Sequence, residues 1–193
     1  VTGQKPNRLS IGECGLILVM GAGFAQFANM FVNMIGSFLN AEEYQETMSQ
    51  LTDGKSMFFL IVCMGIIAPL AEEIVFRWLI YLRLRDYMRS GEAIVISGLF
   101  FGIYHGNLVQ GVYASILGCL FAYFLEQTGS LWTSVLLHMG ANIWSLVLPE
   151  LAAWLLDRYP MEIAVMLVLL LTGMCAGISY FRNRTDTEQR RII

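Results

Sequence analysis

Glu72, Glu73 and Arg77 stand in a segment, Met57 to Leu82, that is otherwise apolar. A charge in hydrocarbon costs roughly 2.5–3.5 kcal/mol on insertion scales, so charges are kept in such places for a reason. Glu73 and Arg77 are four residues apart, share a helical face and can pair, which suits a brace between helices. Glu72 points about 100° away from that pair and is left without a partner, which makes it the carboxylate available for chemistry. The chain has two histidines, His105 and His138, both in apolar stretches. Phe101 lies one turn before His105, and Asn142 one turn after His138, each on the same face as its histidine. At about 1.5 Å per residue, Glu72 is roughly 16 Å from Arg83, His105 roughly 20 Å from Glu92 and His138 roughly 13 Å from Gly129, a common depth. Either histidine alone reads most simply as a packed core residue. A carboxylate, two imidazoles and an amide at one level can activate a water and stabilise an oxyanion.

The elements that must position these residues are membrane helices. The chain has 193 residues, 56% of them hydrophobic and 14% charged, with a mean hydropathy of +0.60; a soluble domain is about 25% charged. This composition predicts an all-α, polytopic transmembrane helix bundle of about six spans, one integral membrane domain over residues 1–193. Ser10 and Glu13 form a capping-box start for a first span, Ile11 to Leu39. Asn40 to Lys55 reads as an acidic loop with at most a helical turn. The second span starts near Ser56, is kinked by Pro69 just before the glutamates and ends in Arg83, Arg85 and Arg89. A third runs from Glu92 to Gly106 and a fourth from Leu108 to Gln127, joined so tightly that they must be antiparallel. A fifth, Leu131 to Leu148, stops before Pro149; Glu150 to Tyr159 reads as a short interfacial helix. The sixth, Met161 to Phe181, faces lipid. Gly98, Gly102, Gly106, Gly111 and Gly118 let the third and fourth spans pack closely.

Six spans put Lys5, Arg8, Arg83, Arg85, Arg89, Arg182, Arg184, Arg190 and Arg191 on one side, so both termini are expected in the cytoplasm. The net charge of -3 argues against a nucleic-acid partner. Cys14, Cys63, Cys119 and Cys175 have no metal-ligand spacing and read as buried small hydrophobes. The chain begins with Val rather than Met, so a preceding segment is expected.

Glu72-Glu73-x-x-x-Arg77, Phe101-x-x-x-His105 and His138-x-x-x-Asn142 resemble, in order and on successive helices, the three motifs of the CAAX-protease and bacteriocin-processing (CPBP, or Abi) intramembrane proteases. The resemblance covers about Pro69 to Leu148, residues 69–148 forming a four-helix catalytic core. It implies that Glu72 activates a water for attack on a peptide carbonyl and that His105 holds and polarises that water. By the same resemblance His138 and Asn142 donate to the oxyanion, and Glu73, Arg77 and Phe101 support the site. A carboxylate in low dielectric is a better general base than an exposed one, which agrees. Glu72, His105 and His138 are also the set that would ligate Zn2+ with water as a fourth ligand. A zincin HExxH is absent, and Asn142 together with the likeness to glutamate-type members favours a metal-free mechanism. Ser97, Ser115, Ser134 and Cys119 carry no motif and are read as packing residues.

The expected function is an intramembrane endopeptidase acting on a membrane-associated peptide or lipid-anchored protein, with membrane lipid as its surroundings. By analogy within that family, small size and a bare four-helix core resemble a bacterial member, which implies a bacterial plasma membrane and peptide, bacteriocin or pheromone processing. The alternative is a non-catalytic bacteriocin-immunity or scaffold protein of the same fold, which the loss of Glu72, His105 or His138 would have favoured. A small transporter would show inverted repeats or matching broken helices, and Pro69 has no counterpart. A water-accessible cavity at Glu72 is expected.

Overall fold

The computed structural model describes residues 9–35 and 41–190. Seven helices account for nearly all of them: α1 Ile11–Ile35, α2 Ala41–Thr52, α3 Met57–Arg85, α4 Ser90–Tyr104, α5 Leu108–Thr128, α6 Leu131–Arg158 and α7 Pro160–Arg190. Five of them, α1, α3, α5, α6 and α7, are long and apolar enough to cross a membrane. With these the chain is an all-α integral membrane protein. Helices suit that setting because each satisfies its own backbone groups where no water is present.

Local chemistry sets most boundaries. The Ser10 N–H donates to Glu13 Oε2 (2.7 Å) and the Glu13 N–H to Ser10 Oγ (3.3 Å), the expected capping box of α1. Ser56 caps α3 through the Phe59 N–H, and Asn107 caps α5 by accepting from the Gln110 N–H at 3.1 Å. Gly106 and Gly129, at φ 69° and 63°, end α4 and α5 in the left-handed conformation that glycine adopts without strain.

Three boundaries differ from expectation. Where a loop was expected over Asn40 to Lys55, α2 forms, because Ala, Glu, Gln and Met dominate Ala41–Thr52 and favour helix. The Lys55 ammonium closes its end on the Leu51 carbonyl at 2.5 Å. Helix α6 does not stop at Pro149 but runs through it to Arg158; membrane helices tolerate an internal proline where neighbouring groups satisfy the freed backbone. The third span is a 15-residue helix, about 22 Å long, so it ends inside a hydrocarbon layer of roughly 30 Å. The remainder of the first span's expected end, to Leu39, and Lys5, Arg8 and Arg191 lie outside the described residues.

Helix α3 is not uniformly α-wound. Wide, π-type stretches at Ile61–Ile67 and Ile74–Tyr81 flank an α-wound turn, Ala68–Glu73, which holds Pro69 and both glutamates. Such wide turns concentrate at functional sites.

The packing is antiparallel for α4 on α5, for α3 on α6 and for α1 on α7, as their side-chain contacts run in opposite directions. A Cβ on Gly102 would overlap Ser115 Oγ and the Gly111 carbonyl, so α4 and α5 touch backbone to backbone. The main core joins α1, α5, α6 and α7 through Ile17, Met20, Phe24, Phe121, Leu137 and Phe181. Of the long helices α1 is the most buried and α7 the least, so α7 is the lipid-facing element expected.

Two polar clamps mark one end of the bundle. Arg85 pairs with Glu126 at 2.7 Å, and Tyr81 Oη donates to the same carboxylate at 2.6 Å. At the start of α1, Glu13 meets Arg184 and accepts from Tyr180 Oη at 2.9 Å. The four cysteines are free, but Cys175 is exposed and the others half-buried rather than fully buried.

Candidate active site

Glu73 sits at the centre of the polar interior and is fully buried. Arg77 Nε lies 3.0 Å from Glu73 Oε2, and both side chains are wholly enclosed, which is the i,i+4 pair expected. The guanidinium also donates to the Gly118 carbonyl at 3.3 Å and lies over the rings of Phe101 and Phe121, 4.8 and 5.6 Å from their centroids. A buried charge needs such enclosure, since pairing, hydrogen bonding and aromatic faces together offset its desolvation.

The second partner of Glu73 was not legible in the motifs taken singly. His138 Nδ1 is 2.9 Å from Glu73 Oε1, so Nδ1 carries the hydrogen that the carboxylate accepts. Ser134 Oγ, one turn earlier on α6, also donates to Glu73. Ser134 is therefore more than the packing residue expected; only its spacing of four from His138 could have signalled it. Phe121 stacks on the His138 ring at 5.0 Å and Phe101 meets it edge-on at 5.4 Å, so the imidazole is held on every side.

This grip turns His138 Nε2 toward Glu72, whose Oε2 lies 3.5 Å away. That is longer than a hydrogen bond of this type, and an oxygen seated beside the pair, at the apex of a triangle, can contact both. The Glu72 side chain is 19% exposed. It is neither lipid-stranded nor sealed, in contrast to Glu73.

His105 caps the inner end of α4. Its Nδ1 lies 2.8 Å from the Phe101 carbonyl, so Nδ1 donates and Nε2 is left as an acceptor. The ring meets Phe101 edge-on at 4.8 Å. Phe101 thus contacts both imidazoles and Arg77. Two residues on, Asn107 is buried and its Nδ2 has no partner among the described residues.

Asn142, expected to donate to an oxyanion, instead directs its Nδ2 at the Met64 carbonyl, 2.8 Å away. Among the described residues no group of three or more His, Cys, Asp or Glu side chains is placed to hold a metal ion. His138 Nδ1 is engaged by Glu73 and His105 Nδ1 by the Phe101 carbonyl, which leaves Nε2 of each ring as the nitrogen that would face a water or a metal ion. A groove of about 430 Å³ between α1, α6 and α7, lined by Val19, Trp144, Leu155 and Leu169 among others, contains none of the candidate site residues.

Fold and site together define an integral membrane helix bundle with a carboxylate–imidazole cluster in its interior. The model of the Rce1-like family, described as type II CAAX prenyl endopeptidase Rce1-like, matches residues 54–144. That segment carries all three motifs and is similar to the Rce1-like family. The chain is also 26% identical over 148 residues, 76% of its length, to a Bacillus subtilis (strain 168) protein named "Putative membrane peptidase YdiL". It spans 59% of that relative's length. No solved structure matches.

Proposed function

We propose that the chain is an intramembrane peptidase in which Glu72 activates the attacking water. The observation that carries this reading is the fixed His138, pinned by Glu73 on one side and presenting Nε2 beside Glu72 on the other. Water placed near Glu72 and the His105 Nε2 gives its proton to the Glu72 carboxylate as its oxygen attacks the peptide carbonyl. The carbonyl oxygen becomes an oxyanion, to which the His138 Nε2–H donates. Collapse breaks the C–N bond, and the proton on Glu72 passes to the leaving amine. Removing one such donor costs roughly 10²–10³ in rate. While His138 donates, Glu72 is neutral, and the charges of Glu73 and the oxyanion face the Arg77 guanidinium and the His138 imidazolium.

Residues 69–148 form the catalytic core in this reading. The substrate is a membrane-associated peptide or lipid-anchored protein, with peptide, bacteriocin or pheromone processing in a bacterial plasma membrane as the favoured setting. The basic ends of α3 and α7 then face the cytoplasm. The test is cleavage of a quenched peptide library by the purified chain in detergent, with wild type compared with Glu72→Ala and His105→Ala, each with and without chelator. Loss in both variants and resistance to chelator support the proposal. A wild type that cleaves nothing yet binds a partner as well as the variants do replaces it with a scaffold.

A further inference from the structure

The bond from Asn142 to Met64 has a cause in the winding of α3. The Ala68 N–H donates to the Cys63 carbonyl, five residues back, which is the π-type register. In that register the next donor belongs to residue 69 and its acceptor is the Met64 carbonyl. Residue 69 is proline and has no N–H to give. Met64 would be left with an orphan carbonyl inside the membrane, and Asn142 Nδ2 fills the vacancy at 2.8 Å from the neighbouring helix. Three residues beyond the break stands Glu72, and His138 lies one turn before Asn142 on α6. The amide therefore fastens α3 to α6 at the point where both sides of the site are set.

We infer that Asn142 is a positioning residue, a substitute donor for Pro69 that fixes the break in α3 and with it the placing of Glu72 against His138. It acts on the reaction through the Met64 carbonyl rather than by touching the oxyanion, and this refines the peptidase mechanism proposed above. The pairing of a missing backbone donor with a side-chain donor makes a specific prediction. Restoring the N–H at residue 69 should make the amide at residue 142 dispensable.

The experiment is a double-variant cycle on the full chain in detergent micelles: wild type, Asn142→Ala, Pro69→Ala and the two combined. Melting temperature is followed by tryptophan fluorescence, and kcat and KM are measured on a peptide that the wild type cleaves. Asn142→Ala should melt about 3–8 °C lower, as expected for one orphaned buried carbonyl in a chain of this size. It should lose about 10-fold or more in kcat with KM unchanged, because the reacting groups are displaced rather than the substrate site. Asn142→Asp, equal in shape but without the donor, should behave in the same way. The combined variant should melt within about 2 °C of Pro69→Ala and regain most of the lost kcat. Should Asn142→Ala fail to accumulate while the combined variant is purified, the clamp is supported. Failure of both, or a combined variant that melts as low as Asn142→Ala, overturns it. A recovered melting temperature with kcat still fully lost also overturns it, since Asn142 would then contact the reacting atoms. The melting cycle needs no substrate, so it decides the clamp even if no peptide is cleaved and the peptidase reading fails.

Discussion

Two adjacent glutamates occupy opposite environments, and the division of labour between them can be measured. Glu73 is enclosed by Arg77, His138 and Ser134, whereas Glu72 keeps one open edge. Glu72→Gln should cut kcat by about 10²–10⁴ in the peptide assay, the usual yield of general-base catalysis, while the melting temperature stays near that of wild type. Glu73→Gln should do more to the fold. Breaking a buried ion pair on one side leaves an uncompensated charge and costs about 3–5 kcal/mol, so a thermal melt should show a fall of about 10 °C. Much of this was legible in the sequence: charges in an apolar run announce themselves, and a spacing of four announces the Glu73–Arg77 pair. The union of Glu73 with His138 was not, because 65 residues separate them and only the antiparallel packing of α3 on α6 brings them together. The bond from Asn142 to Met64 was not legible for a related reason. The acceptor is a backbone carbonyl whose freedom depends on the register of a π-wound stretch, and no residue type records that register.

Helix α4 shows how element length serves the site. At 15 residues it carries His105 to a depth inside the bilayer and stops there. Its last bonds, from the His105 N–H to the Gly102 carbonyl and from the Gly106 N–H to the Ile103 carbonyl, close the end without water. The imidazole completes that closure through the Phe101 carbonyl, so any substitution at 105 removes a cap together with the group proposed to hold the water. The glycine seam that holds α4 on α5 has no spare volume. Gly102→Ala would press a methyl group into the Ser115 hydroxyl and the Gly111 carbonyl; overpacking of this kind costs about 1–3 kcal/mol. A thermal melt should register a fall of about 2–12 °C, and activity should drop with it because α4 carries His105. Sequence patterning marked this seam at Gly98, Gly102, Gly111 and Gly118, but Gly106 faces open space and serves the turn instead, and other ends were set wrongly. Pro149 reads as a stop only if the chain around it is watered, and α2 reads as a loop only if its acidity outweighs its helix-forming residues.

Across the whole molecule, helix directions gather Arg83, Arg85, Arg182 and Arg184 at one end, beside the start of α1. Single cysteines placed just before Ser10 and after Arg184 in a chain cleared of its other thiols should therefore react with a membrane-impermeant maleimide from the same side of sealed vesicles. Labelling from opposite sides would contradict the arrangement. The burial of α1 bears on synthesis as well as on shape. This helix, the earliest of the seven to emerge from the ribosome, rests on α5 and α6 and is bolted at its start to the end of α7, the latest. Its Glu13, held until then by Ser10, and its close-packed face gain their remaining partners only as α5, α6 and α7 are inserted. The packing surface of α1 is thus completed by helices that follow it late in the chain, and the clamp of Glu13 on Tyr180 and Arg184 closes only with α7 in place.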